Sequence, residues 1–194
     1  MYRYFIIYKP FQVLSQFSAE KGKKTLADCF EVPKDLYPVG RLDYDSEGLL
    51  ILTNDQKLNH KLLNPKHKHE REYWVQVEGE ITEEALAQLQ KGIIISIDGK
   101  QYKTMRAIAT KFTEPPQVFD RTPPIRFRKE IPVSWLSLKL NEGKNRQVRR
   151  MTAKVGFPTL RLIRYKIEKI TLEGLTPGSI KELTEKDTYK LLFN

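Results

Sequence analysis

The order in which short strands and helices are predicted along the chain is the feature that most restricts its possible folds. Runs rich in β-branched and aromatic residues, such as 4–8, 49–53 and 73–77, are bounded by glycine, proline or other turn residues and outnumber the helix signals. Helices and strands do not alternate regularly, which argues against a doubly wound parallel sheet. The sequence therefore predicts an α+β fold with a mixed, largely antiparallel sheet and flanking helices.

Local signals place several further elements. Asn54 or Asp55 can cap a helix that runs to about Leu63, and Thr82 can cap another that Gly92 closes. The Asp98-Gly99 pair after residues 93–97 is typical of a hairpin turn. The pattern also predicts a short helix at 25–30 and strands near 105–112, 133–140, 160–163 and 167–172.

Length and charge limit the classes of partner. The 194 residues fit one domain, or one domain split into two lobes. The formal charge is 34 − 24 = +10. This excess favours a large polyanion, meaning nucleic acid, over acidic small molecules or a membrane.

Other classes of site and location find little support. Cys29 is the only cysteine, so no intramolecular disulfide can form, which fits a reducing compartment. The apolar run at 4–7 is too short for a signal peptide or a membrane span, so we expect a cytoplasmic protein without a membrane partner. His60, His67 and His69 lie close in sequence, but no cysteine pair joins them, and we expect no metal site.

Residues 39–55 carry the strongest functional signal. Asp43 follows the turn residue Gly40 and Arg41-Leu42, and a second turn at 45–48 leads into the apolar strand at 49–53. A carboxylate on a short loop braced by a buried strand is one way to present a reactive acid to a substrate. The pattern also fits a plain turn in which Asp43 hydrogen-bonds local backbone amides.

Residues 142–158 carry the second signal. We expect a helix that Asn145 caps and Gly156 closes, with Val148 and Met151 on its apolar face. Arg146, Arg149 and Arg150 fall on the opposite face, where they repel one another and lie near the positive end of the helix dipole. This placement favours a bound anion, either a phosphate or a carboxylate from elsewhere in the chain. From position 139 to 166 the chain has nine basic residues and one acid.

A proline-rich segment, 113–132, separates two predicted strands. Its five prolines exclude a central strand or helix. The segment fits a stiff surface loop, or a basic arm with aromatic faces that contacts RNA, and we favour a loop that also binds. Its basic and aromatic residues are Arg121, Arg126, Arg128, Lys129, Phe119 and Phe127.

Five motifs occur in order over nearly the whole chain. They are Lys9-Pro10 with Val13; Gly40-Arg41-Leu42-Asp43 with Ser46-Glu47-Gly48-Leu49-Leu50 and Thr53-Asn54-Asp55; Arg71-Glu72-Tyr73-Trp74-Val75; Glu142-Gly143-Lys144-Asn145-Arg146-Gln147-Val148-Arg149-Arg150-Met151; and the stretch from Gly156-Phe157-Pro158 to Glu182-Leu183-Thr184. Together they resemble the motifs of the pseudouridine synthases of the RsuA type, which act on ribosomal RNA. Relative to that family, Ser46 stands where threonine is commoner, Arg71 replaces lysine, and Phe11-Gln12 replaces the usual glycine context.

The resemblance implies an isomerase that converts one uridine of ribosomal RNA to pseudouridine without a cofactor or metal. It also implies a single catalytic domain with two lobes around a central basic cleft. Many relatives carry an RNA-binding domain of the S4 type before the core, whereas here the core signals start at Tyr4. The chain is therefore most similar to a short member of the family, with 23S rRNA, in a stem-loop region, as its expected partner. A monomer is the default expectation.

The resemblance also implies roles for individual residues. Asp43 would be the catalytic carboxylate, attacking C1′ or uracil C6 or taking a proton from C2′, and Arg149, or next Arg146, would favour its ionised form. Tyr73 would stack on the target base and Leu162 would pack against its other side. The residues expected to bind RNA are Arg41, which would fill the gap left by the flipped uridine, with Lys144, Arg146, Arg150, Arg121, Arg126 and Arg128.

Two other functions stay open at this stage. One is a catalytically silent RNA-binding module, although such a relative should have lost Asp43. The other is a glycosidase that pairs Asp43 with Asp45 or Glu47. The strong positive charge argues against the glycosidase, whose substrate would be neutral.

Overall fold

The computed structural model describes residues 1–125 and 131–193. The chain forms two compact units. The first unit contains Met1–His69 and Ile163–Asn194, and the second contains Glu70–Leu162. Within the described residues, no helix is both long and apolar enough to cross a membrane.

The elements follow one another as strands and helices of modest length. The strands are β1 (Tyr4–Lys9), β2 (Val13–Leu14), β3 (Lys24–Thr25), β4 (Tyr37–Pro38), β5 (Glu47–Thr53), β6 (Arg71–Glu78), β7 (Ile94–Ile97), β8 (Lys100–Lys103), β9 (Ile108–Lys111), β10 (Val133–Leu140), β11 (Thr159–Ile167), β12 (Ile170–Thr171) and β13 (Ile180–Leu183). The helices are α1 (Gln56–Leu63), α2 (Glu83–Lys91), α3 (Gln147–Lys154) and α4 (Glu185–Phe193), with 3₁₀ turns at Leu26–Asp28 and Pro65–His67.

The first unit is built around β1 and β5, which are buried along their whole length. β1 pairs antiparallel with β13 on one side and with β5 on the other, while positions 163 and 164 in the middle of β11 pair parallel with β5. Because strands covered on both faces need apolar residues throughout, β5 reads as a continuous apolar run. A core cluster covers this region and comprises Phe5, Ile7, Val13, Leu26, Phe30, Leu36, Leu50 and Leu52.

The second unit contains an antiparallel sheet with β10 between β6 and β9. Asp98 and Gly99 both have positive φ, 49° and 77°, and form the predicted hairpin turn between β7 and β8. The Thr82 hydroxyl accepts a hydrogen bond from the Ala85 amide at 3.2 Å, so Thr82 caps α2 as predicted. Pairing is mostly antiparallel in both units, which confirms the predicted fold class. The central basic cleft stays a prediction.

Three local expectations were wrong. Arg146, not Asn145, is the N-cap of α3, with φ of 50° and no side-chain cap bond, so the helix starts one residue later than expected. Residues 159–167 form one continuous strand, whereas two separate strands, near 160–163 and 167–172, were predicted. The short helix predicted at 25–30 is only a 3₁₀ turn at Leu26–Asp28.

Asp55 fastens the C-terminal helix to the first unit. Its Oδ1 accepts the amides of Lys57 and Leu58 at the start of α1, at 2.9 and 3.2 Å. Its Oδ2 accepts the hydroxyls of Tyr4 and Tyr189, at 2.9 and 2.7 Å. Burial alone would raise the pKa of Asp55, but the hydrogen bonds from Tyr189, Leu58, Tyr4 and Lys57 outweigh it and hold the pKa below its ordinary value.

We expect Tyr189→Phe to lower the free energy of unfolding by about 1–2 kcal/mol, because it removes a hydrogen bond to a charged acceptor. A depressed carboxyl pKa stabilises the fold above the unfolded pKa, and this contribution is lost as the pH falls through the folded pKa. The difference between Tyr189→Phe and wild type should therefore be largest near pH 7 and shrink below about pH 4. Urea unfolding at several pH values measures it.

Tyr2→Phe is the matched control, because Tyr2 is an exposed tyrosine of the same unit. It should leave the free energy of unfolding unchanged at every pH. An equal loss in Tyr2→Phe and Tyr189→Phe would contradict the role given to Asp55.

Candidate active site

Asp43 lies half-buried on the loop that leads from β4 into β5. Gly40 opens this loop with φ of 72°, a conformation that favours glycine. The Asp43 carbonyl accepts the Ser46 amide at 3.0 Å, and the Val39 amide donates to the Ile51 carbonyl at 2.8 Å. The loop is thus a hydrogen-bonded turn attached to a buried strand.

A segment distant in sequence clamps both neighbours of Asp43. The buried Ser15 hydroxyl accepts the Leu42 amide at 3.0 Å and donates to the Leu42 carbonyl at 2.8 Å. The Gln12 amide donates to the Tyr44 carbonyl at 2.9 Å. Because the residues before and after Asp43 are both fixed, the backbone that carries the carboxylate has little freedom. No local pattern predicts this role for Ser15, since 27 positions separate it from Leu42.

Lys9 stabilises the turn at residues 10–13, which directly precedes the segment containing Ser15. Its side chain is fully buried, and Nζ donates to the carbonyls of Pro10 and Val13 at 2.9 and 2.7 Å. Burial lowers the pKa of Lys9 to about 7, although the negative charges of Glu47 and Asp45 work in the opposite direction. The lysine of the Lys-Pro motif therefore closes the turn from inside.

Gly48 sets the position of β5 against β11. A Cβ on Gly48, whose φ is 112°, would lie 2.4 Å from the Arg164 carbonyl oxygen and 2.7 Å from its amide nitrogen. The buried Arg164 side chain donates from Nε to the Leu49 carbonyl at 2.8 Å. Only glycine permits this approach of the two backbones, which gives a physical reason for the glycine in the Ser46-Glu47-Gly48 turn.

Tyr73 and Leu162 belong to the second unit, and both are buried. Tyr73 lies on β6, opposite Leu138 of β10. Trp74 points to the other face of β6, where its ring packs edge-on against Phe112 with centroids 5.5 Å apart. The predicted alternation of Tyr73 and Trp74 across the strand is therefore confirmed.

The three arginines around α3 differ in their exposure and in their hydrogen bonds. Arg146 is exposed at the N-cap and Arg149 is half-buried on the helix. Arg150 donates from Nη1 to the Ser96 carbonyl at 2.7 Å and from Nε to the Asn145 carbonyl at 3.2 Å. Arg150 thereby ties the start of α3 to β7, a structural use that the charge pattern did not predict.

Glu142, the single acid in this basic region, holds the turn before α3. Its carboxylate accepts the Tyr102 hydroxyl, the Met105 amide at 2.8 Å and the Gln147 side-chain amide at 2.6 Å. The hydrogen bond to Glu142, with burial, raises the pKa of Tyr102 to about 12. The Lys144 ammonium lies 5.0 Å from the centre of the Tyr102 ring.

A buried arginine of β11 contacts the described part of the proline-rich segment. Arg161 donates from Nη2 to the Phe119 carbonyl at 2.8 Å, while the Phe119 side chain is 50% exposed. Arg121 donates to the Pro123 carbonyl within the same segment at 2.9 Å. The predicted RNA-binding residues Arg126 and Arg128 lie outside the described residues.

The candidate residues are divided between the two units. Arg41, exposed, and Asp43 share one loop of the first unit, whereas Tyr73, Arg149 and Leu162 belong to the second. The pairing of Asp43 with Arg149 therefore stays a prediction. Glu47 is buried within β5, which does not favour it as the second, substrate-facing carboxylate of a glycosidase.

Comparison with known proteins decides the family. Residues 3–154 match the model of the RNA pseudouridylate synthases. The chain belongs to this family. It is accordingly an isomerase, and both the family and the enzyme class predicted from the sequence are confirmed.

The relatives and a solved structure agree with this assignment. A protein of Vibrio vulnificus (strain CMCP6) named Ribosomal large subunit pseudouridine synthase E is 50% identical over 179 residues, 92% of this chain and 74% of that protein. A protein of the same name from Xanthomonas axonopodis pv. citri (strain 306) is 49% identical over 175 residues, 89% of each chain. A solved structure described as a pseudouridylate synthase superposes with a TM-score of 0.78 at 27% identity, covering 99% of this chain and 74% of the other.

Gly48→Ala tests the contact that seats β5. We expect it to lower the free energy of unfolding by about 3 kcal/mol or more, because the new Cβ meets backbone atoms that cannot move aside. Gly174→Ala is the control, since Gly174 also has a positive φ, 75° against 112° at Gly48, but open space where the Cβ would lie. It should lose only about 1–2 kcal/mol, from backbone strain alone. Equal losses in chemical unfolding would contradict the steric argument.

Proposed function

We propose that this chain converts a uridine of large-subunit ribosomal RNA to pseudouridine, with Asp43 as its catalytic carboxylate. The observation that carries the proposal is the position of Asp43 on a loop clamped on both sides. A carboxylate with a fixed backbone can meet a reacting sugar or base in one geometry. The two relatives named above act, by name, on the large ribosomal subunit.

The reaction needs one ionised carboxylate and no other reactant. The N1–C1′ bond of the uridine breaks, the uracil turns, a C5–C1′ bond forms, the proton on C5 leaves and N1 gains one. Asp43 attacks C1′ or C6, or removes a proton from C2′, and each role uses its anionic form. Because substrate and product are isomers, no oxidant or reductant enters.

Charge around the carboxylate supports this role. We assign Arg149, half-buried on α3, as the cation that keeps Asp43 ionised, with Arg146 as the alternative. A guanidinium keeps its charge even when it is partly buried, so it can offset the desolvation of a carboxylate when RNA covers the site. In this assignment the Asp43 carboxylate is the anion that the arginine face of α3 was predicted to bind.

The target base has to leave its helix before it can react. We assign Tyr73 and Leu162 to the two faces of the extruded uracil, and Arg41 to the gap that the uridine leaves. Arg41 is exposed next to Asp43, where a long cationic side chain can reach phosphate. Extrusion costs a few kcal/mol, which contacts of this kind offset.

The remaining RNA contacts come from basic residues near α3 and from the proline-rich segment. Lys144, Arg146 and Arg121 have side chains at or near the surface, and Arg150 contributes while it also ties α3 to β7. The exposed ring of Phe119 offers a face on which an unpaired base can stack. Arg126 and Arg128 belong to the same segment and extend its positive charge.

Tritium release tests the function and the catalyst together. A 23S rRNA transcript labelled with [5-³H]uridine should lose tritium to water with the wild type, because the C5 proton departs when the C5–C1′ bond forms. Asp43→Asn, which keeps the size of the side chain, should reduce the rate by at least about 1000-fold. Asp45→Asn, on the same turn, is the control and should retain the rate within a few fold.

Each outcome has one meaning. Tritium release by both the wild type and Asp43→Asn would support the isomerase reaction but contradict the assignment of Asp43 as its catalyst. No release from 23S rRNA by the wild type, with release from a 16S transcript, would contradict the large-subunit substrate. Detection of free uracil would point to glycosidic cleavage instead.

Ser15→Ala tests whether the clamp positions Asp43. We expect a fall in kcat of about 10-fold with a smaller change in KM, since a misplaced catalytic group loses mainly transition-state stabilisation. Ser15→Thr keeps the hydroxyl and should restore most of kcat. Equal kcat in Ser15→Ala and wild type, measured by single-turnover tritium release, would contradict the positioning role.

A further inference from the structure

The exposed side of α1 and of the 3₁₀ turn after it forms a positively charged surface. We call it the 57–68 surface; its lysines are Lys57, Lys61, Lys66 and Lys68. All four are exposed, and none forms a salt bridge with a described residue. Positions 56–69 contain no Asp or Glu. The family motifs and the proposed chemistry use none of these lysines.

A shallow depression lies within this surface. Its volume is about 520 Å³, and it has four polar side chains and two apolar ones on its walls. Neutral amides and an imidazole can exchange hydrogen bonds with sugar hydroxyls and base edges, which lysines alone cannot do. The lining residues are Gln56, Asn59, His60, Leu63, Asn64 and Pro65.

The depression borders the loop of Asp43. A Cβ on Gly40 would lie 3.1 Å from the Leu63 side chain, which is one wall of the depression. Gly40 directly precedes Arg41, the residue proposed to enter the RNA in place of the flipped uridine. A strand that delivers its uridine to Asp43 therefore continues within reach of the depression and its lysines.

We infer that the 57–68 surface binds the sugar-phosphate backbone of the substrate RNA next to the flipped uridine. This inference rests on the proposed function and adds a contact surface that lies outside the family motifs. Phosphates meet the lysines, and ribose hydroxyls meet the amides of the depression. Such contacts carry little sequence information, so the surface contributes affinity and orientation while the active site selects the uridine.

The four lysines do not contribute equally. The Lys61 ammonium lies 3.9 Å from the centre of the Phe193 ring, so part of its charge is used to hold α4. No ring contact of this kind involves Lys57, Lys66 or Lys68 within the described residues. We therefore assign the larger share of phosphate binding to these three.

Salt-dependent binding tests the inference. The probe is an unmodified 23S rRNA transcript, and the variant is Lys57→Gln/Lys66→Gln/Lys68→Gln. Releasing fewer counterions should lower the slope of log K against log salt by about 2–3 and raise Kd about 10-fold or more at 0.15 M salt. KM in the tritium assay should rise in proportion to Kd.

The matched control removes the same charge from the same unit. Lys181→Gln/Lys186→Gln/Lys190→Gln changes three exposed lysines of β13 and α4, away from the Asp43 loop in sequence. It should change the slope by less than half as much as the 57–68 variant. Equal slopes for the two triple variants would overturn the inference, because general electrostatic attraction would then account for the loss.

The design separates this inference from the proposed function. Tritium release by the wild type, with unchanged Kd and slope in the 57–68 variant, would overturn the surface assignment alone. Binding by the wild type without tritium release would overturn the function, while the slopes would still decide where the RNA lies. A wild type that binds no RNA would overturn both.

Discussion

The pair of hydrogen bonds between the Ser15 hydroxyl and the backbone of Leu42 is the constraint on which the proposed chemistry depends. It acts on the backbone of the residue before Asp43 and does not use the Asp43 carboxylate itself. The buried Lys9 ammonium stabilises the turn just before Ser15. The close approach of the Gly48 and Arg164 backbones fixes β5, the strand after the Asp43 loop. Three buried contacts thus fix the backbone around one carboxylate.

Buried and exposed charges have different roles in this protein. The buried carboxylates of Asp55 and Glu142 are saturated with hydrogen-bond donors and stabilise the fold, as buried charges require. Exposed lysines and arginines give the surface an excess of positive charge, which suits a polyanion. The net charge of +10 is therefore a property of the surface, with RNA as its proposed partner.

The sequence predicted most local elements because their signals are local. The Asp55 and Thr82 caps, the Asp98-Gly99 hairpin and the apolar run of β5 each depend on residues a few positions apart. The Ser15 clamp and the contact of Gly48 with Arg164 join distant segments, so no local pattern indicates them. The start of α3 was misplaced because Asn145 is a good cap by type, whereas the chain takes a left-handed turn at Arg146. The motifs identified Asp43 through family resemblance, and no physical pattern alone distinguished it from a turn residue.

The most direct test of the central claim is a map of pseudouridines in 23S rRNA from cells that lack this protein. One pseudouridine should disappear from the map, and expression of the wild type should restore it. Expression of Asp43→Asn to the same level should leave the site as uridine. An unchanged map, or restoration by Asp43→Asn, would contradict the account.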